Sequence, residues 1–195
     1  MPTLLNRAIA ILALGYPFLV YFGLRHFGAR GLALALIVLA TARLAVVGRK
    51  LPASPLLTIL LLSSMAVALT GLLVLVSGAP DHLRFYPVVV NFAMLLLFGV
   101  TLLRPPTMVE RLARLREPHL PPGAVGYTRK VTEVWCGFFL LNGSIALYTA
   151  RFADVEVWTL YNGLIAYLLM ALLFAGETLV RRRVRHRRQA TVGAR

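Results

Sequence analysis

Apolar residues run without alternation through six stretches of this chain: Ala8 to Leu24, Gly31 to Val47, Pro55 to Ser77, Phe85 to Leu103, Val131 to Ala150 and Val157 to Val180. Barrel strands would alternate apolar with polar positions, whereas an unbroken Leu, Val and Ala pattern predicts helices that satisfy their own backbone hydrogen bonds. A hydrocarbon core of about 30 Å takes roughly 20 residues of helix, and each stretch comes near that length. The expected fold is all-α: a polytopic membrane bundle of six transmembrane helices forming a single domain over residues 1–180, with a basic tail over 181–195. Tyr16 and Pro17 fall near the middle of the first stretch and predict a kink there. Met1 to Arg7 followed by an apolar run resembles a signal peptide, but a second hydrophobic stretch follows within a few residues, so the first is read as a retained helix.

Between the spans, the polar positions set a direction. With the N-terminus in the cytoplasm, seventeen of the 21 Lys and Arg residues fall on that side, and Arg25, Arg30, Arg84 and Arg151 fall outside. The positive-inside bias therefore puts both termini in the cytoplasm. Composition agrees, since 59% hydrophobic and 14% charged residues leave too little polar surface to clothe a soluble domain. The setting expected is the bacterial cytoplasmic (inner) membrane. The lone Cys136 allows neither a disulfide framework nor a cysteine metal site.

The longest connection, Arg104 to Lys130, has a pattern of its own. After Pro105 and Pro106, Thr107 and Glu110 have capping-box spacing, and Met108, Leu112 and Leu115 recur at i, i+4 and i+7. A short amphipathic helix is expected there, ended by Pro118, Pro121, Pro122 and Gly123. Either its apolar stripe presses into the inner leaflet while Arg111, Arg114 and Arg116 meet lipid phosphates, or it is a solvated linker. Arg104, Arg181, Arg182 and Arg183 complete the expected lipid-surface set. The tail RRRVRHRR from Arg181 to Arg188 reads as an anchor on anionic lipid, at about 1 kcal/mol per basic residue. Nucleic acid is not expected as a partner, because stacking and groove-reading elements are missing.

Tyr16, Pro17, Val20 and Phe22 are echoed by Tyr86, Pro87, Val90 and Phe92, and Thr41 to Arg43 by Thr149 to Arg151. Three spans separate the copies, so a true repeat would be inverted across the membrane, as in many transporters. Chance matches among Leu, Ala and Val runs account for the echoes more simply, and coincidence is the preferred reading.

Polar residues inside the spans are costly and ask for a role. Asn91, Glu133, Asn142, Asn162 and Glu177 form the candidate intramembrane cluster, with Arg43 as a further charge. Glu133 follows Arg129 and Lys130 by four and three residues, Glu177 precedes Arg181 by four, and Arg43 lies near an end, so these three read as interfacial anchors. The asparagines lie deeper and read as interhelical hydrogen-bonding groups, with a polar cavity for a headgroup as the alternative. Asn142 precedes Gly143 and Ser144, where small residues permit close helix approach. At 100° per residue Glu133, Gly137 and Ser144 share one face of the fifth span, and Asn142 lies on the opposite face beside Trp135. His26, His82, His119 and His186 lie outside the apolar runs with no ligand spacing, and no HExxH, G-x-S-x-G elbow or P-loop is present. No catalytic residue, metal or cofactor is expected.

Three stretches carry a family resemblance: NFAMLLLFGVTLLRPPTMVERL from Asn91, RKVTEVWCGFFLLNG from Arg129 and WTLYNGLIAY from Trp158. From the fourth span onward the chain resembles the intracellular septation protein A family of small bacterial inner-membrane proteins, while the first three spans match it in hydrophobic layout. It is also similar, more loosely, to small membrane proteins encoded with aryl-polyene lipid synthesis. The resemblance carries Arg104, Pro105, Trp135, Phe138, Phe139 and Asn142, and implies a setting in envelope upkeep and division. Trp135, Phe138 and Phe139 are accordingly expected to pack, within the bundle or against a partner. The function expected is non-enzymatic support of cell-envelope biogenesis through helix–helix contacts with membrane partners. The alternative is a small transporter or flippase for a lipid-linked or amphipathic molecule. Expected partners are the bilayer with its anionic lipids, membrane proteins and, as an option, further copies of the chain.

Overall fold

The computed structural model describes residues 55–193 except 116, together with 22, 28, 30, 31, 33–38, 40–42, 44 and 45; side chains are described for all of these but 56, 80, 122 and 182–193. The expected first span apart from Phe22, its Tyr16–Pro17 kink, Arg43 and Arg116 lie outside the described residues, as do the side chains of Arg182 and Arg183. Among the described residues every regular element is helical. Helix α1 spans Pro55–Ser77, a 3-10 turn Pro80–Phe85, α2 Tyr86–Leu103, α3 Met108–Arg114, α4 Pro122–Phe152 and α5 Val155–Leu160. A π-helical turn, Tyr161–Ile165, then joins α5 to α6, Ala166–Gly193. Four continuous helical stretches are long and apolar enough to cross a membrane: Leu57–Ser77, Asp81–Leu103, Gly123–Phe152 and Val155–Arg181.

The helices expected from Pro55 onward are present, with two extensions. Helix α4 begins nine residues before Val131, because Pro121 and Pro122 start this helix instead of ending the one before. Proline suits the first helical position, where its missing N–H is unneeded. Helix α6 runs on through the basic tail to Gly193 instead of ending at Val180.

Helices α2 and α4 lie antiparallel along their length. Asn142 meets Asn91 near one end, Phe139 meets Phe98 with ring centroids 5.1 Å apart, and Arg129 Nη1 donates to the Leu102 carbonyl at 3.1 Å near the other. Apolar burial is concentrated at two levels. Ala33, Leu36, Val74, Leu83, Ala150 and Trp158 pack at the 3-10 end, and Met94, Phe98, Met108, Trp135 and Phe139 at the α3 end. Helix α6 stands apart. Only 6% of the most apolar part of Val155–Arg181 is buried, against 28% for Leu57–Ser77.

Helix α3 begins at Met108 as its capping-box spacing predicts, but the capping bonds come from elsewhere. Thr107 occupies the N-cap position without a side-chain bond to the helix, and Glu110 pairs with Arg114 at 2.7 Å. The first N–H groups of α3 are accepted by threonines of the neighbouring helices, Met108 N–H by Thr101 Oγ1 at 2.9 Å and Val109 N–H by Thr132 Oγ1 at 3.4 Å. Met108 is 1% exposed and belongs to the bundle core. Met108 therefore turns into the protein and closes one end of the bundle, with Leu112 packed beside it, while Leu115 is 60% exposed. Arg111 and Arg114 turn back onto the Pro106 and Pro118 carbonyls. Arg104 is exposed.

The 3-10 end is closed by Arg84. Its Nη2 donates to the carbonyls of Thr149 (2.8 Å), Ala153 and Asp154 (3.3 Å), so a cation sits at the C-terminal end of α4, where the helix dipole favours positive charge. Trp158, fully buried, donates its indole N–H to the Arg84 carbonyl at 3.0 Å. Asp154 caps α5 by accepting the Val157 N–H at 2.8 Å.

Candidate functional site

An elongated groove of about 810 Å³ runs between α2, α4 and α6, with α3 at one end and Ile59 of α1 on its wall. That volume lies in the range of sites that hold one small-molecule ligand. Along α6 the wall is built by Ala166, Met170, Phe174, Glu177 and Arg181, a run of i+4 and i+3 steps that keeps one helix face on the groove. Its middle is apolar, lined by Met94, Phe98, Trp135, Phe139, Met170 and Phe174. Trp135 anchors this section, with Phe174 at 4.6 Å, Phe139 at 5.6 Å and Phe138 at 5.7 Å between ring centroids. Trp135 and Phe139 are buried among these rings, so their packing partners are inside the chain.

Towards the 3-10 end the groove wall becomes polar. Asn91 Nδ2 donates to the Pro87 carbonyl at 2.8 Å, which can only accept and so fixes the orientation of that amide. Asn91 Oδ1 then accepts from Asn142 Nδ2 at 3.1 Å, and Asn142 Oδ1 accepts from the Tyr161 hydroxyl at 2.9 Å. The bonds run in one direction from Tyr161 on the π-turn through α4 to α2. All three side chains are buried. Such bonds inside a membrane bundle contribute about 0.6 to 2 kcal/mol each.

Asn162 makes a separate set. Its Nδ2 donates to the Trp158 carbonyl at 3.0 Å and to Thr149 Oγ1 at 3.2 Å. Thr149 spends its own hydrogen on the Ala146 carbonyl, so both acceptors demand the nitrogen and Oδ1 faces the other way. That oxygen is buried and has no hydrogen-bond partner. An unpaired buried acceptor costs about 1–3 kcal/mol, which marks the position. The π-helical turn places it: Tyr161, Asn162 and Gly163 are all buried in succession, and π-turns interrupting α-helices are frequent at functional sites.

At the other end Glu177 and Arg181 line the mouth and form the i, i+4 pair that their spacing predicts, at 3.5 Å. Tyr127 donates its hydroxyl to Glu177, with Oε1 and the backbone carbonyl each at 3.2 Å. Sequence reading passed over Tyr127, because it lies before the expected start of the fifth span. Tyr161 was also missed as a site residue, though its place beside Asn162 was a signal.

The structure thus brings four of the five expected cluster residues to one groove, Asn91, Asn142 and Asn162 at one end and Glu177 at the other. Glu133 does not join them. It lies half-exposed on the opposite face of α4, paired with Arg129 at 3.2 Å. The helical-wheel reading of this span holds, since Glu133, Gly137 and Ser144 are all exposed. Among the described residues no three His, Cys, Asp or Glu side chains come together as metal ligands must. Amides, a phenol and one ion pair around an apolar channel are equipped to bind by hydrogen bonding and burial.

Gly143 lets α2 and α4 approach at this level. A Cβ added there would lie 3.0 Å from Asn91 Cβ. Gly143→Val is expected to lower stability by about 1–3 kcal/mol through overpacking. Gly137→Ala, which meets open space, is expected to be neutral or slightly stabilising. Denaturant titration of the purified variants checks both, and equal effects would remove the close-approach argument. In comparisons with family models, curated proteins and solved structures, the chain matches none.

Proposed function

We propose that this chain is a non-enzymatic protein of the bacterial inner membrane, with both termini cytoplasmic, that holds an amphipathic, lipid-like molecule in the groove between α2, α4 and α6. The observation that carries the reading is the order of chemistry along the groove. Polar amides at Asn91, Asn142 and Asn162 are followed by an aromatic and methionine section and then by the Glu177–Arg181 pair. Asn162 and Glu177 are 15 residues apart, which makes the run roughly 20 Å in helix rise, within a hydrocarbon core of about 30 Å. A molecule with a long apolar body matches that order, and the sparsely packed α6 leaves it a way in from the bilayer. Holding, or moving, such a molecule would serve envelope biogenesis.

The test is photolabelling of the full chain, reconstituted in phosphatidylethanolamine–phosphatidylglycerol vesicles, with a diazirine-bearing phospholipid. Crosslinks are expected on the groove segments of α2, α4 and α6, reduced about tenfold in Val90→Trp, which fills the groove. Labels spread evenly over exposed helix faces, or unaffected by the filling residue, would end the proposal. A flux of labelled lipid between leaflets would add transport to binding.

A second reading, support of membrane partners through helix–helix contacts, draws on the exposed face of α6, including Leu168 and Leu172. A Leu172→Cys variant in a Cys136→Ala background that formed no crosslink to another protein in native membranes would remove it.

A further inference from the structure

We propose that the groove reads its occupant by a zwitterionic headgroup at the Glu177–Arg181 mouth, with the phosphate on Arg181 and the ammonium on Glu177, so that the site selects an ethanolamine phospholipid. This rests on the groove being an amphiphile site and says which amphiphile. Glu177 and Arg181 follow Met170 and Phe174 on the groove face of α6, and among the described lining residues they alone are charged. Both are within reach of a ligand, with 17% of the Glu177 side chain and 47% of the Arg181 side chain exposed. Tyr127 Oη and Arg181 Nε meet the carboxylate through the same oxygen, Oε1, at 3.2 and 3.5 Å. That leaves Oε2 and the two Nη groups of Arg181 for a headgroup.

Charge complementarity decides among headgroups. The mouth presents one negative and one positive group a helix turn apart. An ethanolamine headgroup carries the matching pair across a short linker: a phosphate that accepts from the guanidinium and an ammonium whose hydrogens the carboxylate accepts. A glycerol headgroup brings the phosphate alone and would set an uncompensated negative charge beside Glu177 at a partly sheltered mouth. A lone cation would meet Arg181 with the same penalty. Attraction by basic side chains alone gives the opposite order, because the run of arginines that begins at Arg181 gathers anionic lipid at the surface. A preference for the zwitterion at the groove therefore reports the carboxylate, and the aromatic section beyond the mouth receives an acyl chain.

The experiment places the full chain in vesicles of equal phosphatidylethanolamine and phosphatidylglycerol, with a trace of one lipid or the other carrying a diazirine in an acyl chain. Labelling of the groove segments of α4 and α6 by the ethanolamine probe is expected to exceed that by the glycerol probe about fivefold. In Glu177→Gln, which keeps an acceptor for Tyr127, the two probes are expected to label equally. In Arg181→Gln both are expected to label less, since both carry the phosphate. Equal labelling in the wild type, or a glycerol probe that labels more, would overturn the inference and leave the groove standing as an amphiphile site whose ion pair only joins two turns of α6. A preference that survived Glu177→Gln would overturn it as well. Failure of both probes to reach the groove would overturn the site itself. Should Glu177→Gln not accumulate, the wild-type ratio decides alone.

Discussion

An Arg84→Ala variant is expected to lose about 2–4 kcal/mol of stability in detergent and to loosen the turn between α4 and α5. One nitrogen of this side chain donates to the carbonyls of Thr149, Ala153 and Asp154 at the junction of α4 and α5, two of which also accept the backbone N–H groups of Ala153 and Trp158. A hydrogen bond to a charged group contributes about 1.5–3 kcal/mol, and a cation at a helix C-terminus adds about 0.3–1 kcal/mol. Three bonds sharing one nitrogen do not add, and water at a partly exposed end replaces some of what is lost, so the total stays near that of one or two good bonds. The bond from the Trp158 indole N–H to the Arg84 backbone carbonyl survives the substitution and keeps the corner in place. Arg84→Lys is expected to recover part of the loss, because a single ammonium can reach some of the same carbonyls. Denaturant titration followed by tryptophan fluorescence reads the effect through Trp135 and Trp158. A loss below about 0.5 kcal/mol in the alanine variant would show that the capping is worth little.

Arg84 also shows what the sequence did not disclose. In the chain it is one of four basic residues assigned to outer connections, and its charge is all that topology uses. Its partners lie 65 to 70 residues later, and only the fold makes α4 end beside the 3-10 turn. Helix existence was legible for the opposite reason. Apolar runs long enough to span a bilayer leave the backbone no other way to satisfy itself, so α1 ends at Ser77, where its pattern predicts. Boundaries failed where proline has two meanings. Pro121 and Pro122 look like terminators in the sequence but occupy the N-cap and first position of α4, which lengthens that helix and brings Tyr127 to Glu177.

Within the candidate site, residue type was legible and partnership was not. Buried asparagines announce themselves by cost, and the periodicity of α4 correctly put Asn142 beside Trp135 and away from Glu133. That Asn142 would bond Asn91 on one side and Tyr161 on the other depends on the pairing of α2 with α4 and on the π-turn. Neither leaves a periodic trace. The short helix α3 illustrates the same division: its start was encoded locally, whereas its burial was decided by Thr101 and Thr132 waiting on adjacent helices.

Asn142→Leu is the substitution expected to separate a wired site from ordinary packing. Leucine keeps much of the volume, so cavity terms stay small, but the variant strands Asn91 Oδ1 and the Tyr161 hydroxyl, both buried, in an apolar surround. Two bonds at about 0.6–2 kcal/mol, together with the cost of the stranded groups, give an expected loss of about 3 kcal/mol. Ser144→Ala, on the exposed face and bonded only to its own helix, is expected to change stability by less than about 0.5 kcal/mol. Tyr161→Phe alone is expected to cost about 1 kcal/mol, and because it shares a bond with Asn142 the double variant should cost less than the sum of the singles. Additive losses would mean that the side chains touch without depending on one another. Coupling of about 1 kcal/mol would instead tie the π-turn to α2 through α4, so that a ligand seated against these amides biases the position of α6.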